Sequence, residues 1–461
     1  MEQRYIVALE IGSSKIRGAA GTLDSNGALT VLAIEEEPLI DCVRYGVVQN
    51  VEEVSTRVNR IIRKIENRSG ISPRKVKALY VALGGRSLTA SKADIERPLP
   101  DEQEITERMV EQIKADAMRT TLSDRDMVEV LVRDFMIDNQ ESINPVGMFG
   151  RHIDATLNVI SCRPQLKRNI DRVVNERLQL KINGYVVRHT AIADLVLSKD
   201  EKRLGCMLVD LGAETTTVSI YKGGVLRYLA TLPMGSRNIT RDIATGLNKL
   251  EERAEELKKA VGDASPSTDT AQHRNIDGID TTEINTFVQA RTGEIVANIL
   301  EQMNYAGITD LPCGIVIVGG GAKLKGISHL IESQSKLPLR IGTPTSAVRI
   351  ADAKIQGADM VDVIAVLDAA SRRTPMMCME SPEPIFNPSI DEDDEEDEPG
   401  FMPRKNAKKN KDHRRQRDEE DDEDDDRGDR GNRTSWFSRL VNRAKDTTER
   451  IFTENDEDDD E

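Results

Sequence analysis

The sequence has little cysteine and no long apolar run, and both scarcities exclude classes of protein. Its 461 residues include five cysteines, which are scattered and never form a Cys-x-x-Cys pair. Neither a disulfide framework nor a zinc site is indicated, and a reducing cytoplasm is the expected compartment. No apolar stretch approaches the roughly 18 residues that a membrane-spanning helix needs. The first residues, MEQRYIVALEIGSSK, are predicted to form a strand and not a signal peptide.

Basic residues are outnumbered by acidic ones, chiefly at one end of the chain. The formal net charge is -16, and residues 391–461 hold 28 of the 80 acidic residues but only 15 of the 64 basic ones. Because residues 374–434 have almost no core-forming side chains, we expect a disordered charged linker there. Its basic stretch, RKNAKKNKDHRRQR, has acidic neighbours and no interleaved aromatic residues. We therefore expect no nucleic-acid partner.

One pattern occurs twice, far apart along the chain. In ALEIGSSKIRGAAG (8–21) and in LVDLGAETTTVSIYKGG (208–224), an apolar strand ends in an acid and a glycine, and hydroxyl residues follow. Each copy opens a run of short strands separated by glycine turns, as in an antiparallel meander. Glycine lets backbone N–H groups converge on an anion such as phosphate. Either turn alone is equally consistent with an ordinary tight hairpin, whereas their repetition favours two turns that grip one polyphosphate.

An acid precedes each of these turns, Glu10 in the first and Asp210 in the second. Carboxylates so placed can hold Mg²⁺ beside phosphates, directly or through water. A third glycine-rich segment, GIVIVGGGAKLKGI, matches neither the P-loop nor the dinucleotide-binding pattern. We expect its strand to run into a helix amino terminus that takes the base and ribose of the same nucleotide.

The segments between the turns predict further α/β structure. Apolar spacing predicts a helix over VEEVSTRVNRIIRKIE (51–66), followed by a buried strand in KVKALYVALGG. Residues 104–119 are predicted to be helical, and EVLVRDFMIDNQ (129–140) is predicted to form one strand. With a further strand in GMFGRHIDATLNVISC, these elements indicate a compact α+β insertion at about 84–162. Later helices are predicted in KLEERAEELKKAVG, INTFVQARTGEIVANILEQMNYAG and MVDVIAVLDAA.

The order of the two phosphate hairpins and the third glycine segment resembles the actin, Hsp70 and sugar-kinase superfamily. More narrowly, VALGGRSL, FMIDNQESINPVGMFGRHIDATLNVISC, LGCMLVDLGAETTTVSIYKGG and ITRDIATGLNKLEERAEELKKAVG are similar to the FtsA family of bacterial cell-division proteins. The resemblance covers residues 4–373 and the last helix. It implies an α/β, actin-like two-lobed ATPase fold with duplicated ribonuclease-H-like cores, a relocated α+β subdomain, a disordered acidic linker and a C-terminal amphipathic helix.

The resemblance also implies a division of the chain. The first actin-like lobe would comprise 1–83 and 163–200, closed by a helix over 357–373, with the inserted subdomain at 84–162. The second lobe would comprise 201–240 and 311–356, with a small subdomain at 241–310. The linker 374–434, an amphipathic helix at 435–452 and an acidic tail at 453–461 would follow.

The family's nucleotide-binding residues carry over onto matching positions, with ATP and Mg²⁺ as the implied cofactors. The phosphate-binding residues would be Gly12, Ser13, Ser14, Lys15, Gly212, Thr215 and Thr216. The nucleoside-binding residues would be Glu255, Lys258, Gly319, Gly320, Gly321 and Lys323. Asp210 and Glu10 would hold the metal.

Some residues depart from the family pattern. Glu10 stands where the superfamily usually has Asp, Glu214 replaces a glycine and Thr217 replaces an acid. His189 stands where relatives often have a glutamate near the attacking water, which makes it the one catalytic candidate; an ordinary histidine without chemistry is the alternative. Because positioning of the water carries much of phosphoryl transfer, these changes favour ATP binding with slow or absent hydrolysis.

The segment SWFSRLVNRAKDTTERIF (435–452) has the pattern of an amphipathic helix. Its expected membrane-binding residues are Trp436, Phe437, Arg439, Leu440, Val441, Arg443, Ile451 and Phe452. Docking on the protein's own body or on a partner helix is the alternative. Its place after a long tether and its large aromatic side chains opposite basic ones favour a helix in the interface of an anionic membrane. FtsA-like proteins end in such a helix, which supports this interpretation.

These features lead to one main functional hypothesis and two alternatives. The main one is an actin-like ATP-binding cell-division protein that polymerises, tethers FtsZ filaments to the inner face of the cytoplasmic membrane and recruits later division proteins. By resemblance, its partners are the FtsZ carboxyl-terminal tail, docked near 241–310, further copies of itself and anionic lipid. An ATPase or small-molecule kinase of the same fold would need a competent base and a substrate pocket. An actin-like pilus-assembly adaptor would not account for the terminal helix.

Overall fold

The computed structural model describes residues 4–119, 124–265, 275–276, 278–344, 348–351, 360–373 and 376–381. The predicted amphipathic helix at 435–452, with its eight membrane-binding candidates, lies outside the described residues. The acidic tail at 453–461 and most of the predicted linker also lie outside them. Residues Met1–Pro382 form one compact unit. Among the described helices, none is long and apolar enough to cross a membrane.

The chain opens with the predicted meander, whose three strands pair antiparallel: β1 (Arg4–Ile11), β2 (Lys15–Leu23) and β3 (Leu29–Pro38). Two short strands, β4 (Val43–Arg44) and β5 (Val47–Val48), lead to helix α1 (Val51–Glu66). This helix has the predicted bounds, and the Asn50 side chain caps it by accepting a hydrogen bond from the Glu53 N–H. Strands β6 (Lys75–Val76) and β7 (Ala78–Leu83) follow.

A separate α+β layer comes next, made of β8 (Thr89–Glu104), α2 (Glu107–Arg119), β9 (Asp126–Ile137), β10 (Gln140–Ser142) and β11 (Phe149–Cys162). Its four strands form one sheet in the order β10-β9-β11-β8, and α2 packs on it around its own apolar cluster. The prediction of one strand over 129–140 was wrong at its end. The chain turns at Asp138 and Asn139, whose φ angles are 45° and 73°. These residue types tolerate positive φ and form two-residue hairpins.

The chain then returns to the first sheet and enters a second meander. The returning elements are α3 (Pro164–Asp171), a π-helical segment (Arg172–Arg177), β12 (Lys181–Val187), α4 (Arg188–Val196) and α5 (Lys199–Leu204). The second meander consists of β13 (Cys206–Leu211), β14 (Thr216–Lys222) and β15 (Val225–Leu232), which pair antiparallel as predicted.

Helices dominate the last part of the described chain. The elements before the third glycine segment are α6 (Ser236–Gly246), α7 (Glu251–Val261), β16 (Asn275–Ile276), β17 (Ile279–Asp280) and α8 (Thr281–Ala306). The elements after it are β18 (Ile315–Val318), a 3₁₀ turn (Gly320–Lys323), α9 (Ile327–Ser335), β19 (Leu339–Ile341), β20 (Arg349–Ile350), α10 (Val361–Arg372) and β21 (Met379–Glu380). Strand β18 therefore runs into a single 3₁₀ turn, where a longer helix was expected.

Two sheets repeat one strand order, which confirms the predicted duplication. The first lobe contains β3-β2-β1-β7-β12, extended by β20, and the second lobe contains β15-β14-β13-β18-β19. In each sheet the first three strands are antiparallel, and the last two add in parallel. The carboxyl ends of the parallel strands therefore lie at one edge of each sheet, which is where α/β proteins place ligands. Helix α10 packs against β1 and α4 near this edge of the first lobe.

Candidate nucleotide site

The two glycine turns have matching hydrogen-bond geometry. In the first, the Gly12 N–H donates to the Lys15 carbonyl oxygen at 3.0 Å, and in the second the Gly212 N–H donates to the Thr215 carbonyl oxygen at 2.9 Å. A Cβ on Gly212 would lie only 2.6 Å from that Thr215 oxygen, so the tight turn requires glycine. The pattern that occurs twice in the sequence therefore forms the same turn twice in space.

Both turns line one small cavity of about 90 Å³. The predicted residues that line it are Glu10, Gly12, Ser13, Ser14, Lys15, Asp210, Gly212, Thr215, Gly319 and Gly320. Thr216 is the one predicted phosphate-binding residue that does not line it. Its hydroxyl is fully buried and donates to the Met234 carbonyl oxygen at 2.9 Å. The structure thus brings the two turns together but directs the Thr216 hydroxyl to the segment that follows β15.

A larger cavity of about 1340 Å³ shares part of its lining with the small one. Residues Ser14, Lys15, Ser236 and Gly320 border both cavities. The predicted nucleoside-binding residues that line the larger cavity are Glu255, Lys258, Gly320, Gly321 and Lys323. The structure therefore places the predicted phosphate and nucleoside residues along one continuous cleft.

Lys258 is held by the protein itself. Its ammonium nitrogen lies 2.6 Å from Glu255 Oε2, 2.8 Å from Thr240 Oγ1 and 3.0 Å from the Ser236 carbonyl oxygen. These contacts use its three donors, so this lysine ties α7 to the start of α6. Burial raises the pKa of Glu255, but Lys258, Thr240 and Lys259 outweigh it and lower that pKa to about 2. The pair is therefore an ionised structural link in the cavity wall.

Five charged side chains meet beside the turns; Arg188 is 14% exposed and the other four are buried. We call them the acid–arginine cluster, and they are Glu10, Arg17, Arg188, Asp210 and Asp362. Arg188 Nη1 lies 3.0 Å from Glu10 Oε1, and Nη2 lies 2.7 Å from Asp210 Oδ2. Arg188 Nη1 is also 3.9 Å from Asp362 Oδ2. Arg17 Nη1 is 3.7 Å from both Glu10 Oε2 and Asp362 Oδ2. Three carboxyl groups thus face two guanidinium groups.

The environment of this cluster shifts the pKa of two members. Burial raises the pKa of Asp362 to about 8; Asp210 and Glu10 add to the rise, whereas Arg188 and Arg17 oppose it. Burial lowers the pKa of Arg188, but the three acids outweigh this effect and raise it, so the guanidinium stays charged. Among the described residues, Glu10 Oε2, Asp210 Oδ1 and Asp362 Oδ1 are buried without a hydrogen-bond partner.

As they stand, these residues do not fit the expected Mg²⁺ between Glu10 and Asp210. Carboxylate oxygens are the donors that Mg²⁺ prefers. However, the Arg188 guanidinium already contacts both carboxylates, and a second cation in the same position would be repelled at short range. The metal-binding role of the two acids therefore remains a prediction from the sequence, and the structure offers another partner for them.

Glu214, the unusual acid of the second turn, points away from the small cavity. Its side chain is 3% exposed and does not line that cavity. Oε2 accepts a hydrogen bond from the Tyr45 N–H of the first lobe at 2.8 Å. Oε1 lies 3.3 Å from both Arg237 and Arg241. The carboxylate that would repel phosphate is instead neutralised and links the two lobes.

His189 lies in the first turn of α4 and lines neither cavity. Its Nε2 is 2.8 Å from Ser219 Oγ in the second lobe. Burial lowers the pKa of this imidazole to about 4, Asp210 opposes the shift and Arg188 adds to it. The structure therefore places a neutral histidine between the lobes and outside the lining of both cavities. Its catalytic role remains a prediction that the geometry does not favour.

Three members of the acid–arginine cluster were not predicted as site residues. Arg17 faces Glu10 across the first hairpin, and the register of the predicted meander contains this pairing. Asp362 is an acid in the first turn of a mostly apolar helix. Arg188 directly follows an apolar strand and precedes His189. A charged residue within or beside a buried element was the available signal in each case.

Two duplicated sheets around a cleft with twin glycine turns define an actin-like, two-lobed protein. The solved PilM-PilN type IV pilus biogenesis complex contains a chain of similar fold, with a TM-score of 0.56 and 18% identity, covering 79% of this chain and 98% of that one. The predicted actin-like α/β fold is confirmed, whereas the predicted linker and C-terminal helix remain predictions, and this likeness concerns the fold alone.

Sequence comparisons identify a family within the actin-like class of proteins. The model "Cell division protein FtsA" matches residues 207–364, and "SHS2 domain inserted in FTSA" matches residues 85–161. The Porphyromonas gingivalis cell division protein FtsA is 30% identical over 329 residues, covering 68% of each chain. The Pseudomonas aeruginosa FtsA is 29% identical over 364 residues, covering 76% of this chain and 85% of the relative. The chain belongs to the FtsA family of cell-division proteins.

Proposed function

We propose that this FtsA-family chain binds ATP between its two lobes, polymerises, and holds FtsZ filaments on the inner face of the cytoplasmic membrane. The observation that carries the ATP part is that both glycine turns line one cavity. Backbone N–H groups and hydroxyls from two sides suit a polyphosphate. Ser236 lines both cavities at the start of α6, and the positive end of a helix dipole adds to the attraction.

Bound ATP acts in this proposal as a conformational and assembly ligand that is hydrolysed slowly or not at all. A general base must come within hydrogen-bond reach of the attacking water. His189 lines neither cavity, and the carboxylates that line the small one belong to the acid–arginine cluster. An ATPase or small-molecule kinase of the same fold would release phosphate at ordinary enzyme rates, which a steady-state phosphate assay would detect.

The membrane and FtsZ parts of the proposal rest on the amphipathic pattern at 435–452 and on family membership. A single helix of this length attaches weakly to lipid. Polymerisation aligns many such helices, and each added helix then binds at a high effective concentration. Filament formation and membrane binding should therefore reinforce each other. The FtsZ carboxyl-terminal tail is proposed to dock near 241–310, and attached filaments would then recruit later division proteins at the division site.

Sedimentation with liposomes of anionic lipid tests the membrane part. The full chain should pellet with liposomes, and a chain that ends at residue 434 should remain in the supernatant. A chain that ends at residue 452 is the matched control, because it loses only the acidic tail and should still pellet. If the chain ending at 434 pellets as well as the full chain, the proposed membrane anchor is wrong.

Binding of a labelled FtsZ tail peptide tests the partner. Fluorescence anisotropy should rise with the full chain and remain low with a scrambled peptide of the same composition. Addition of ATP and liposomes should strengthen the apparent binding, because aligned subunits present many tail sites. Equal binding of the two peptides would contradict a specific FtsZ tail site.

A further inference from the structure

We propose that the Arg188 guanidinium is the built-in cation of the phosphate site, so that ATP binds to this chain without a divalent ion held by Glu10 and Asp210. The inference rests on the ATP binding proposed above and goes beyond it. It concerns the form of nucleotide that the cleft accepts, namely the metal-free polyphosphate. It also assigns a binding role to Arg188, which lies outside the glycine turns.

Arg188 connects acids of different lobes. Nη1 lies 3.0 Å from Glu10 Oε1 on β1, and Nη2 lies 2.7 Å from Asp210 Oδ2 on β13. These are the acids that precede the two glycine turns, where a shared metal would be held. A guanidinium has its donors in a fixed planar fork, which suits two carboxylates, and it remains charged at ordinary pH. The chain's own cation therefore stands between the two acids.

The neighbouring backbone leaves room for this side chain. Arg188 begins α4 directly after β12, and β1, β7 and β12 run parallel, so their carboxyl ends meet. Gly84 follows β7, and a Cβ there would lie 3.3 Å from Arg188 Nε, which is closer than ordinary contact. The glycines of the VALGG segment belong to neither phosphate turn. The first of them keeps the space that Arg188 occupies.

Arg188 also retains donors for a ligand. A guanidinium has five N–H donors, and the contacts with Glu10 and Asp210 use two of them. Among the described residues, the buried Nε has no hydrogen-bond partner, and Arg188 lines the small cavity together with both turns. A buried donor without a partner costs free energy that an acceptor would recover. A phosphate oxygen in the cavity is the acceptor that this geometry favours.

A divalent ion held by Glu10 and Asp210 would compete with Arg188 for the same two carboxylates. An ion held by Glu10 and Asp210 would displace the guanidinium and leave it buried without its acids, which is unfavourable. Without Arg188, the buried carboxylates of Glu10, Asp210 and Asp362 would face one another, and a divalent ion would relieve their repulsion. The wild type and a variant without Arg188 should therefore depend on metal in opposite ways.

The experiment measures binding of a fluorescent ATP analogue to the full chain in excess EDTA and in excess MgCl₂. The wild-type Kd should change by less than about threefold between the two conditions, whereas Arg188→Ala should bind more than about tenfold more tightly with Mg²⁺. Mn²⁺ binding without nucleotide, followed by electron paramagnetic resonance, is the second readout. Arg188→Ala should bind Mn²⁺, and the wild type should not.

Two further variants control the comparison. Arg340→Ala removes an arginine that pairs with Glu201 through two contacts of 2.7 and 2.9 Å, away from the cleft, and should leave both readouts unchanged. Arg188→Lys keeps the charge but loses the planar guanidinium. It replaces the alanine variant in the experiment if that variant does not fold. Its metal dependence should lie between those of the wild type and the alanine variant.

The outcomes separate this inference from the proposed function. The role of Arg188 would be overturned if the wild type bound the ATP analogue more than about tenfold more weakly in EDTA than in MgCl₂. It would also be overturned if the wild type bound Mn²⁺ as strongly as the Arg188 variants. If ATP binds under neither condition while the variants gain Mn²⁺ binding, the proposed ATP site is wrong and Arg188 still stands in place of a metal. If neither ATP nor Mn²⁺ binds to any form of the chain, both proposals are wrong.

Discussion

Replacement of His189 by glutamine should make the chain less sensitive to mild acid. The His189 side chain is 3% exposed, and burial lowers its pKa from 6.5 to about 4. The unfolded chain therefore takes up a proton in a pH range where the folded chain does not. Because the folded-state pKa is depressed, the contribution to stability is present above pH 6.5 and is lost as the pH falls towards 4. Glutamine can also reach Ser219 Oγ but does not titrate.

The size of the effect follows from proton linkage. One pKa unit corresponds to ~1.4 kcal/mol, so a depression from 6.5 to about 4 limits the total loss to ~3.4 kcal/mol. Between pH 7 and pH 5 the wild-type chain should lose ~2 kcal/mol of its free energy of unfolding through this group. Asp362 has a raised pKa of about 8 and acts in the opposite direction, since it binds its proton more tightly in the folded chain. Subtraction of the variant from the wild type removes the contribution of Asp362.

Urea unfolding followed by circular dichroism at pH 7, 6 and 5 measures this difference. The advantage of wild type over His189→Gln should shrink by ~2 kcal/mol from pH 7 to pH 5. His329→Gln, which removes an exposed imidazole, provides the reference for histidine loss elsewhere in the chain. If wild type and His189→Gln lose stability in parallel over this range, then His189 is not held neutral by burial.

Three further changes test the cleft. Gly212→Ala would place a Cβ 2.6 Å from the Thr215 carbonyl oxygen, so calorimetry should show ATP binding weakened at least about tenfold. Glu214→Gln removes the charge that pairs with Arg237 at 3.3 Å and should lower the free energy of unfolding by about 2 kcal/mol in urea. Glu255 has a pKa lowered to about 2, so its ionised form stabilises the fold above pH 4.5 and this contribution is lost as the pH falls towards 2. Glu255→Gln should therefore show a weaker loss of thermal stability in that range.

Each of these changes has a control and an outcome that would contradict it. Gly224→Ala tests a glycine with open space around it and a positive φ of 84°, so it reports backbone strain outside the cleft. Unchanged ATP binding in Gly212→Ala would refute the role of the second turn. Stability of Glu214→Gln equal to wild type would show that the lobes do not depend on this charge. An acid profile of Glu255→Gln that follows the wild type would exclude an ionised pair at this position.

Local sequence patterns predicted much of the candidate nucleotide site. Apolar alternation, glycine and hydroxyl residues around 8–21 and 208–224 predicted two meanders with matching turns, because a hairpin is specified by residues a few positions apart. The helix Val51–Glu66 was predicted for the same reason, because its buried apolar residues recur at helical spacing within the segment itself. The strand predicted over 129–140 was wrong where Asp138 and Asn139 turn the chain, although these two residue types are themselves a local turn signal.

The duplication, the glycine turns and the acids that precede them could be predicted from the sequence alone, because these features depend on short-range backbone geometry. The contacts of those acids could not be predicted in this way, because they depend on tertiary packing. Arg188 lies 178 positions from Glu10 and 22 from Asp210 along the chain, and Asp362 comes from a third segment. Parallel strand pairing places Glu10 and Asp210 at the carboxyl-terminal edges of two different sheets, and the packing of the lobes and of α10 brings the charges together. Burial then favours a partner for each charge. The partner of a buried charge is therefore set by the packing of distant segments and not by the residues next to it.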